Sequence, residues 1–540
     1  MRRSASEALL ADREGASQSG GGLIRRILRL TSVVVVILAV LMQVRALGDP
    51  IWAQDEAILL VYSKQLLNSR LPFVDFSAVY PAGSYAVVGS LVSVFGNQLL
   101  VVRLLSLVGL IATMCAVWSL LASRRTARLM AIALLCVSWP TFAIVWSLAA
   151  TCLSVSFGLI LSARSATWRI FLGSFFLGLA FSIRLDSSLA VVVPLVLLLF
   201  ARPVGVIMWP DHMVVSVRWR LVCVLPAFLL GAAPALLNIG ILVTRGDVGR
   251  FLRDTGAIRL GRALPLQYQL DEVLTVAGFA AVAITFVVLT ARRWKVSTRL
   301  SRVTAVWLVS VTPLACVQFL QRADVWHMWT ALSILGPPVL LALSLLASDP
   351  AVVAALRRSL SPDVIGLSGL VLLVWINWAN LVSFHPKEIV GSIVNTVPTV
   401  EVCGAPSYCL PLSPESASDL EPVLSVIRQK PGRSLFEGPS DLRTAFTGRN
   451  WVYALFPENP PCSFYLEMNP GSSNGSDSHL ADELAGCDLL LLDDSYNELH
   501  DEHSNVDYGS DQPNAVVTRS FHELVASGPW TLYARNDSRG

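Results

Sequence analysis

Long apolar runs cut by short clusters of arginine fill the first 380 or so residues. A helix rising about 1.5 Å per residue needs about 20 apolar residues to cross a hydrocarbon core roughly 30 Å thick. Runs near that length recur at 30–47, 100–122, 129–146, 147–163, 170–184, 187–201, 221–243, 273–290, 303–320, 329–347 and 364–383, which predicts about eleven spans. One stretch, "IFLGSFFLGLAFSIRLDSSLAVVVPLVLLLF", admits two readings. As a single helix it would set Arg184 and Asp186 at the bilayer centre, at a cost of several kcal/mol. As a hairpin its arms have about 15 residues each, roughly 22 Å by helical rise. Its polar turn then lies below the outer surface, where it must face protein or a wet cavity. The hairpin is the expectation, because one long helix would invert every later loop and put "ARRWKVSTRLSR" outside.

After about residue 395 Pro, Ser, Asp, Asn and Gly become frequent, yet patterned elements persist. "SDLEPVLSVIRQK" reads as a helix opened by Ser418 and Glu421 as a capping box, with Leu420, Val423, Leu424 and Ile427 on one face. "RSLFEG", "WVYALFP", "CDLLLLDD" and "PWTLYAR" read as strands and "DSHLADELAG" as a short helix, so the tail is expected to be a small α/β domain. The whole divides into a cytoplasmic tail (1–29), a membrane domain (30–383) with a first external loop at 48–99, and an extracytoplasmic α/β domain (384–540). The fold class is mostly α: a polytopic helical membrane protein carrying that small domain.

Composition agrees. Of the 540 residues, 54% are hydrophobic and 15% charged, and mean hydropathy is +0.60, values of polytopic membrane proteins rather than soluble domains. The net charge of +3 says little; its distribution says more. With the N-terminus inside, "SRRTAR", "ARSATWR", "RPVGVIMWPDHMVVSVRWR", "ARRWKVSTRLSR" and "ALRRS" all fall in cytoplasmic loops. Arg45 and the long N-terminal tail favour a retained signal anchor over a cleaved signal peptide. The expected residence is a bacterial plasma membrane. Cys403, Cys409, Cys462 and Cys487 lie in the tail, where an oxidising compartment would preserve two disulfides. Sequence leaves their pairing open; 403–409 with 462–487 is taken as the working expectation. The tripeptides at Asn474 and Asn536 match the glycosylation pattern, as chance matches often do. Asp493 and Asp494 end a strand where α/β folds often bind ligands, but a solvated strand end is the commoner case. Walker, dinucleotide, serine-elbow and zinc-ligand patterns are absent, and nothing points to nucleic acid.

The first external loop reads "GDPIWAQDEAILLVYSKQLLNSRLPFVDFSAVYPAGSYAVVGSLVSVFGNQLLVVRLLS". An acidic pair follows the first span and opens an apolar helix; "RLPFVDF", "YPAG", a helix ending in "FG" and an Arg opening the next span follow. Over residues 49–106 this resembles the GT-C superfamily of integral-membrane glycosyltransferases, most of all the branch of protein O-mannosyltransferases and lipid A aminoarabinose transferases. Ala82 stands where that family often has a second proline. The resemblance implies an enzyme passing a sugar, with inversion, from a polyprenyl-phosphate donor to a glycan, lipid or protein acceptor outside. It places Asp55 at the catalytic carboxylate and Glu56 at its acidic neighbour, and implies a metal-independent reaction, although a divalent cation bridging carboxylate and phosphate is chemically possible.

The residues themselves allow this chemistry. An attacking hydroxyl or amine must lose a proton, and a positioned carboxylate can take it. Asp55 and Glu56 also fit the first turn of a helix, where acids meet the macrodipole. Adjacent helical residues point about 100° apart, so both need not face one pocket. A departing lipid phosphate calls for external cations, and Arg253, Arg259 and Arg262 in an unusually basic external loop are candidates, with Arg184 and His327. Asp75, Tyr80 and Asp324 are candidate substrate contacts. Lys64 and Arg103 read as interfacial or structural. Two other classes stay open: a transporter or flippase of lipid-linked glycans, and a non-catalytic membrane scaffold.

Overall fold

The computed structural model describes residues 29–38, 40–51, 53–96, 98–120, 129, 132, 145–162, 167–184, 187–200, 217–246, 248–249, 251–253, 270–294, 297–321, 325–346, 398–405, 408–445, 449–469, 471–494 and 509–536. Its helices are α1 (Arg29–Ala46), α2 (Ala53–Leu67), α3 (Ala82–Phe95), α4 (Gln98–Leu120), α5 (Val145–Ser162), α6 (Thr167–Ile183), α7 (Ser188–Phe200), α8 (Val217–Arg245), α9 (Leu270–Arg292), α10 (Arg299–Gln321) and α11 (Val325–Leu346). Among the described residues five are long and apolar enough to cross a membrane, and several shorter apolar helices join them. This is a multi-pass membrane protein. Leu229, Leu230, Leu237 and Val243 of α8 and Ile284 of α9 point outward, as side chains facing lipid do. The expected span at 364–383, most of 129–146 and the boundary at 383/384 lie outside the described residues.

The long "IFLGS…" stretch is broken, as the hairpin reading required. α6 stops at Ile183, Arg184 follows it, and α7 begins at Ser188. Ser187 ties the break by donating to the carbonyls of Ala180 and Arg184. α6 packs along α8. Gly178 and Gly231 permit this approach: a Cβ on Gly178 would strike the Phe228 backbone, and one on Gly231 the Phe175 carbonyl. Small residues at helix crossings let backbones close up where lipid supplies no hydrophobic drive.

The C-terminal region is the expected α/β unit. A hairpin of β1 (Val400–Ala405) and β2 (Tyr408–Leu412) leads into α12 (Pro414–Arg428). A mixed four-stranded sheet follows, in the order β3-β4-β6-β5: β3 (Leu435–Pro439), β4 (Leu489–Asp493), β5 (Phe521–Ser527) and β6 (Trp530–Arg535). The pair β3–β4 is parallel; β6 runs antiparallel to both its neighbours. Strand alternation separates two cores. Leu435, Leu489, Leu491, Trp530 and Leu532 join the core that continues through Trp451 and Val402 to Tyr62 and the membrane helices. Phe436, Leu490, Leu492 and Phe521 face a second core with Phe464, Tyr465 and Leu484.

Three details differ from the sequence expectation. α12 starts one turn earlier than expected: Ser413 is its N-cap, accepting from the Ser416 N–H, with Pro414 in the first turn. Ser418 therefore sits inside the helix, although Leu420, Val423, Leu424 and Ile427 form the buried face as read. "WVYALFP" is a short helix, α13 (Val452–Leu455), not a strand. The β1–β2 hairpin, α15 (Gln512–Ser520) and β5 were not expected; α14 (Leu480–Ala485) was. Disulfides join Cys403 to Cys409 and Cys462 to Cys487, the pairing taken from the sequence.

Candidate functional site

α2 begins directly after the first span, and its acidic pair divides by position. Glu56 is fully buried and held by Arg103 of α4 in a two-point ion pair: Nε donates to Oε1 at 2.8 Å and Nη2 to Oε2 at 2.7 Å. The same guanidinium donates to the carbonyls of Asp49 at 2.7 Å, Pro50 at 2.9 Å and Leu47 at 3.3 Å. Arg103 thus welds the end of the first span, the start of α2 and the flank of α4. The planar guanidinium suits this forked task. Asp55, one residue earlier, is placed by its backbone alone. It precedes Tyr62 by seven residues, two helical turns, and so shares that face of α2.

The Tyr62 face is polar and buried. Its ring packs edge-on against Phe76 at 5.0 Å and Tyr85 at 5.2 Å between centroids. Burial and then the charge of the Glu467 carboxylate hold the Tyr62 phenol well above its ordinary pKa, and its hydroxyl is buried without a hydrogen-bond partner. Next to Tyr85 come Tyr80 and Arg184. Arg184, buried at the α6–α7 break, lies 4.8 Å from the Tyr80 ring centroid. This cation–π stacking supports a guanidinium in a dry place. The approach depends on "YPAG": a Cβ on Gly83 would collide with the Ser182 carbonyl at the end of α6.

Asp75 closes the loop between α2 and α3. Its Oδ2 accepts from the Leu71 N–H at 2.8 Å, and its Oδ1 lies 3.4 Å from Arg245 at the end of α8. Phe73 packs edge-on against Phe251 at 4.8 Å, and Asn238 of α8 donates to the Pro72 carbonyl. Phe251, at the start of the arginine-rich segment after α8, therefore sits beside "LPFVDF". Arg253 is exposed there. Arg259, Arg262 and Asp324 lie outside the described residues, as does Asp186. His327 stands in the first turn of α11, its position given by the backbone.

The structure thus brings the α2 face, Tyr80, Tyr85 and Arg184 together. It sets Glu56 apart in its own ion pair and puts Asp75 in the loop beside Arg245. The C-terminal domain covers the α2–α3 region. The Ile51 N–H donates to the Pro411 carbonyl at 2.8 Å and the Ser77 N–H to the Phe464 carbonyl at 2.6 Å. Lys64 lies 4.1 Å over the Tyr408 ring, and burial pushes its ammonium down to about 8. Sequence reading missed Tyr62, Tyr85 and Glu467. Tyr62 was findable by counting two turns on from Asp55, whereas Glu467 sits in a loop with no local signature.

Asp493, the candidate ligand residue of the tail, is fully buried with Arg449 Nε at 3.0 Å from Oδ2. Asn474 is also buried, donating to the Arg443 carbonyl and accepting from the Gly471 N–H. Its amide is committed to the fold and is no glycosylation acceptor in this state. Among the described residues no three His, Cys, Asp or Glu side chains gather to hold a metal ion.

The class these features define is a multi-pass helical membrane protein whose α2–α3 helix pair is roofed by a disulfide-bonded α/β domain. No protein-family model matches the chain, and no curated protein matches it. A similar solved structure is that of ArnT from Cupriavidus metallidurans bound to undecaprenyl phosphate, 14% identical, covering 94% of this chain and 98% of that one, with a TM-score of 0.48.

Proposed function

We propose that this protein is a membrane glycosyltransferase of the GT-C type. It moves a sugar from a polyprenyl-phosphate donor to a glycan, lipid or protein acceptor on the extracytoplasmic side, with inversion and without a resident metal. The observation that carries the reading is the buried polar face of α2, where Tyr62, Tyr85, Tyr80 and Arg184 meet under the C-terminal domain. The acid-opened helix and "YPAG" of residues 49–106, which resemble that superfamily, support it. An arginine buried at a break between spanning helices, as Arg184 is, is costly and is a functional-site candidate for that reason.

Asp55 is the general base. As the acceptor oxygen or nitrogen bonds to the anomeric carbon, its proton passes to the Asp55 carboxylate. The bond from that carbon to the phosphate oxygen breaks and its electron pair leaves with the phosphate. Developing charge on the phosphate calls for fixed cations. Arg184 is one candidate, and Arg253, Arg259, Arg262 and His327 are others; Tyr80, Asp75 and Asp324 are assigned to substrate contact. Glu56 is given a holding role, since its two oxygens are spent on Arg103.

The test is transfer of labelled sugar from a panel of polyprenyl-phosphate donors by the purified full-length protein. Asp55→Asn should lower turnover by about 10²-fold or more, the usual worth of a positioned base. Equal transfer by wild type and variant removes Asp55 from the chemistry.

A further inference from the structure

The turn between α9 and α10 gathers charge that the transfer site does not use. α8 ends at Arg245, 3.4 Å from Asp75, on the side of the C-terminal domain. The joining segment, 246–269, is too rich in charge to cross a bilayer, and α9 and α10 each have spanning length. Their turn therefore lies at the opposite face. From Val273 to Gln321 the sequence carries five cations, Arg292, Arg293, Lys295, Arg299 and Arg302, and no carboxylate. Hydrogen bonds fix the turn. Ser297 donates its hydroxyl to the Arg293 carbonyl at 2.8 Å, and Thr298 Oγ1 accepts from the Ser301 N–H at 3.1 Å. Trp294 is held against α10, where the Arg302 guanidinium lies 5.9 Å from its ring centroid. Arg302 is half-buried, and its Nε is enclosed without a hydrogen-bond partner.

A guanidinium in a dry place is unfavourable unless an anion meets it. Among the described residues no Asp or Glu pairs with Arg302. Two stripes set the cations at the depth of lipid headgroups. On α9, outward Ile284 and Val288 run turn by turn into exposed Arg292; on α10, Arg302 stands two turns before outward Val309. The cations thus end apolar faces that meet lipid tails, and Trp294 stands where indoles mark the headgroup level. A phosphodiester offers the paired oxygens that a guanidinium fork takes up, and basic pockets between spanning helices are where anionic headgroups dock. We propose that the α9–α10 turn binds the phosphate of an anionic phospholipid in the leaflet away from the C-terminal domain. Arg302 is its ligand, oriented by Trp294, and Arg292 adds positive charge at the same level. The occupant is a lipid rather than a free anion because both faces continue into apolar surface for acyl chains. The proposal is independent of the glycosyltransferase reading.

The test titrates phosphatidylglycerol into the full-length protein in neutral detergent and follows the thermal unfolding midpoint. Phosphatidylcholine and inorganic phosphate are the parallel titrants. Phosphatidylglycerol should raise the wild-type midpoint and saturate, as a ligand of the folded state does; the other two should not. Arg302→Gln should need about tenfold more lipid for half the rise, the worth of one charge-assisted hydrogen bond. Trp294→Leu should need about threefold more, in keeping with loss of a cation–π contact. Arg218→Gln, at the exposed start of α8 on the same face of the membrane, should titrate as wild type. No rise in wild type, or an equal rise with phosphatidylcholine, overturns the proposal. A rise with inorganic phosphate also overturns it, because a free anion then suffices. An equal loss in Arg218→Gln means a diffuse basic surface and overturns it too, as does an unchanged titration of Arg302→Gln. If Arg302→Gln does not elute as a folded species, Arg302→Lys, which keeps the charge but not the planar fork, takes its place. It should still need more lipid than wild type, and a wild-type titration there overturns the proposal.

Discussion

Asp55 and Glu56 are neighbours in sequence with separate situations in the fold. The roughly 100° between adjacent helical residues allows this, but nothing in "DEA" says which acid meets Arg103. The register of α2 against α4 decides it. The Glu56–Arg103 pair is a strong test of residue-level energetics. Removing one partner leaves a buried charge without its counter-ion, so Glu56→Ala and Arg103→Ala should each cost about 3–5 kcal/mol. This is read as a lowered unfolding midpoint of the solubilised protein. The double variant should cost less than the sum. Glu437 offers a second residue-scale prediction. Burial pushes its carboxyl up from 4.5 to about 8, against the Arg449 N–H that donates to it and with the nearby Asp493 adding to the rise. Between those two pH values the folded state keeps the proton and the unfolded chain loses it. Stability therefore falls as pH rises through that window, by up to about 1.4 kcal/mol per pH unit. Glu437→Gln, which keeps the acceptor for Arg449, should flatten that part of the profile when melting of the domain is followed by hydrogen exchange between pH 5 and 8.

At the scale of elements, what could be read in the sequence was what hydrophobic length and polar interruption dictate. The break at Arg184 was legible because a helix cannot carry Arg184 and Asp186 through lipid without penalty. β3, β4 and β6 were legible because "LFEG", "DLLLLDD" and "WTLYAR" are short apolar runs bounded by polar residues. "WVYALFP" was misread because all four residues of Val452–Leu455 are buried, and an apolar run buried on every side carries no period to tell strand from helix. The hairpin 400–412 was missed because Pro406, Ser407 and Pro411 gave it the composition of a loop, and β5 because it is an edge strand whose apolar and polar positions do not alternate. "YPAG" was recognised as a pattern, but its reason is visible only in the packing. Gly83 lets the start of α3 touch the end of α6, which sets Tyr80 on Arg184. Gly83→Ala forces the two backbones apart. It should reduce transfer at least as much as Arg184→Gln while leaving the protein inserted, measured by turnover alongside size-exclusion behaviour; full activity in Gly83→Ala would show that the α3–α6 contact does not matter to the site.

For the whole molecule, the parts constrain one another's side of the membrane. Two disulfides in the C-terminal domain require an oxidising compartment to persist. That domain bonds directly to Ile51 and Ser77 and faces Tyr62, so α2 and its acidic pair must share its compartment. By the positive-inside rule the arginine clusters of the sequence are expected on the opposite, cytoplasmic side. The transfer chemistry assumed for Asp55 is therefore tied to an orientation that can be measured without any substrate. Single cysteines placed at exposed Asn68 and Gln429, with Cys115, Cys136, Cys152, Cys223 and Cys316, the five cysteines outside the disulfides, replaced by Ser or Ala, should both react with a membrane-impermeant maleimide in intact cells. A cysteine at Thr298, between α9 and α10, should react only after the membrane is opened. The loop after Cys462, whose Phe464 carbonyl accepts from the Ser77 N–H, links this topology to activity. Replacing Cys462 and Cys487 by Ser frees its anchored end, and a bridge closing a loop of this size contributes about 3 kcal/mol in the chain-entropy account. The bridge lies within the C-terminal domain, so the variant should insert and label like wild type yet transfer more slowly, because the loop that meets Ser77 is loosened. Retained turnover in the disulfide-free protein would mean that the domain roofs the site without helping to build it.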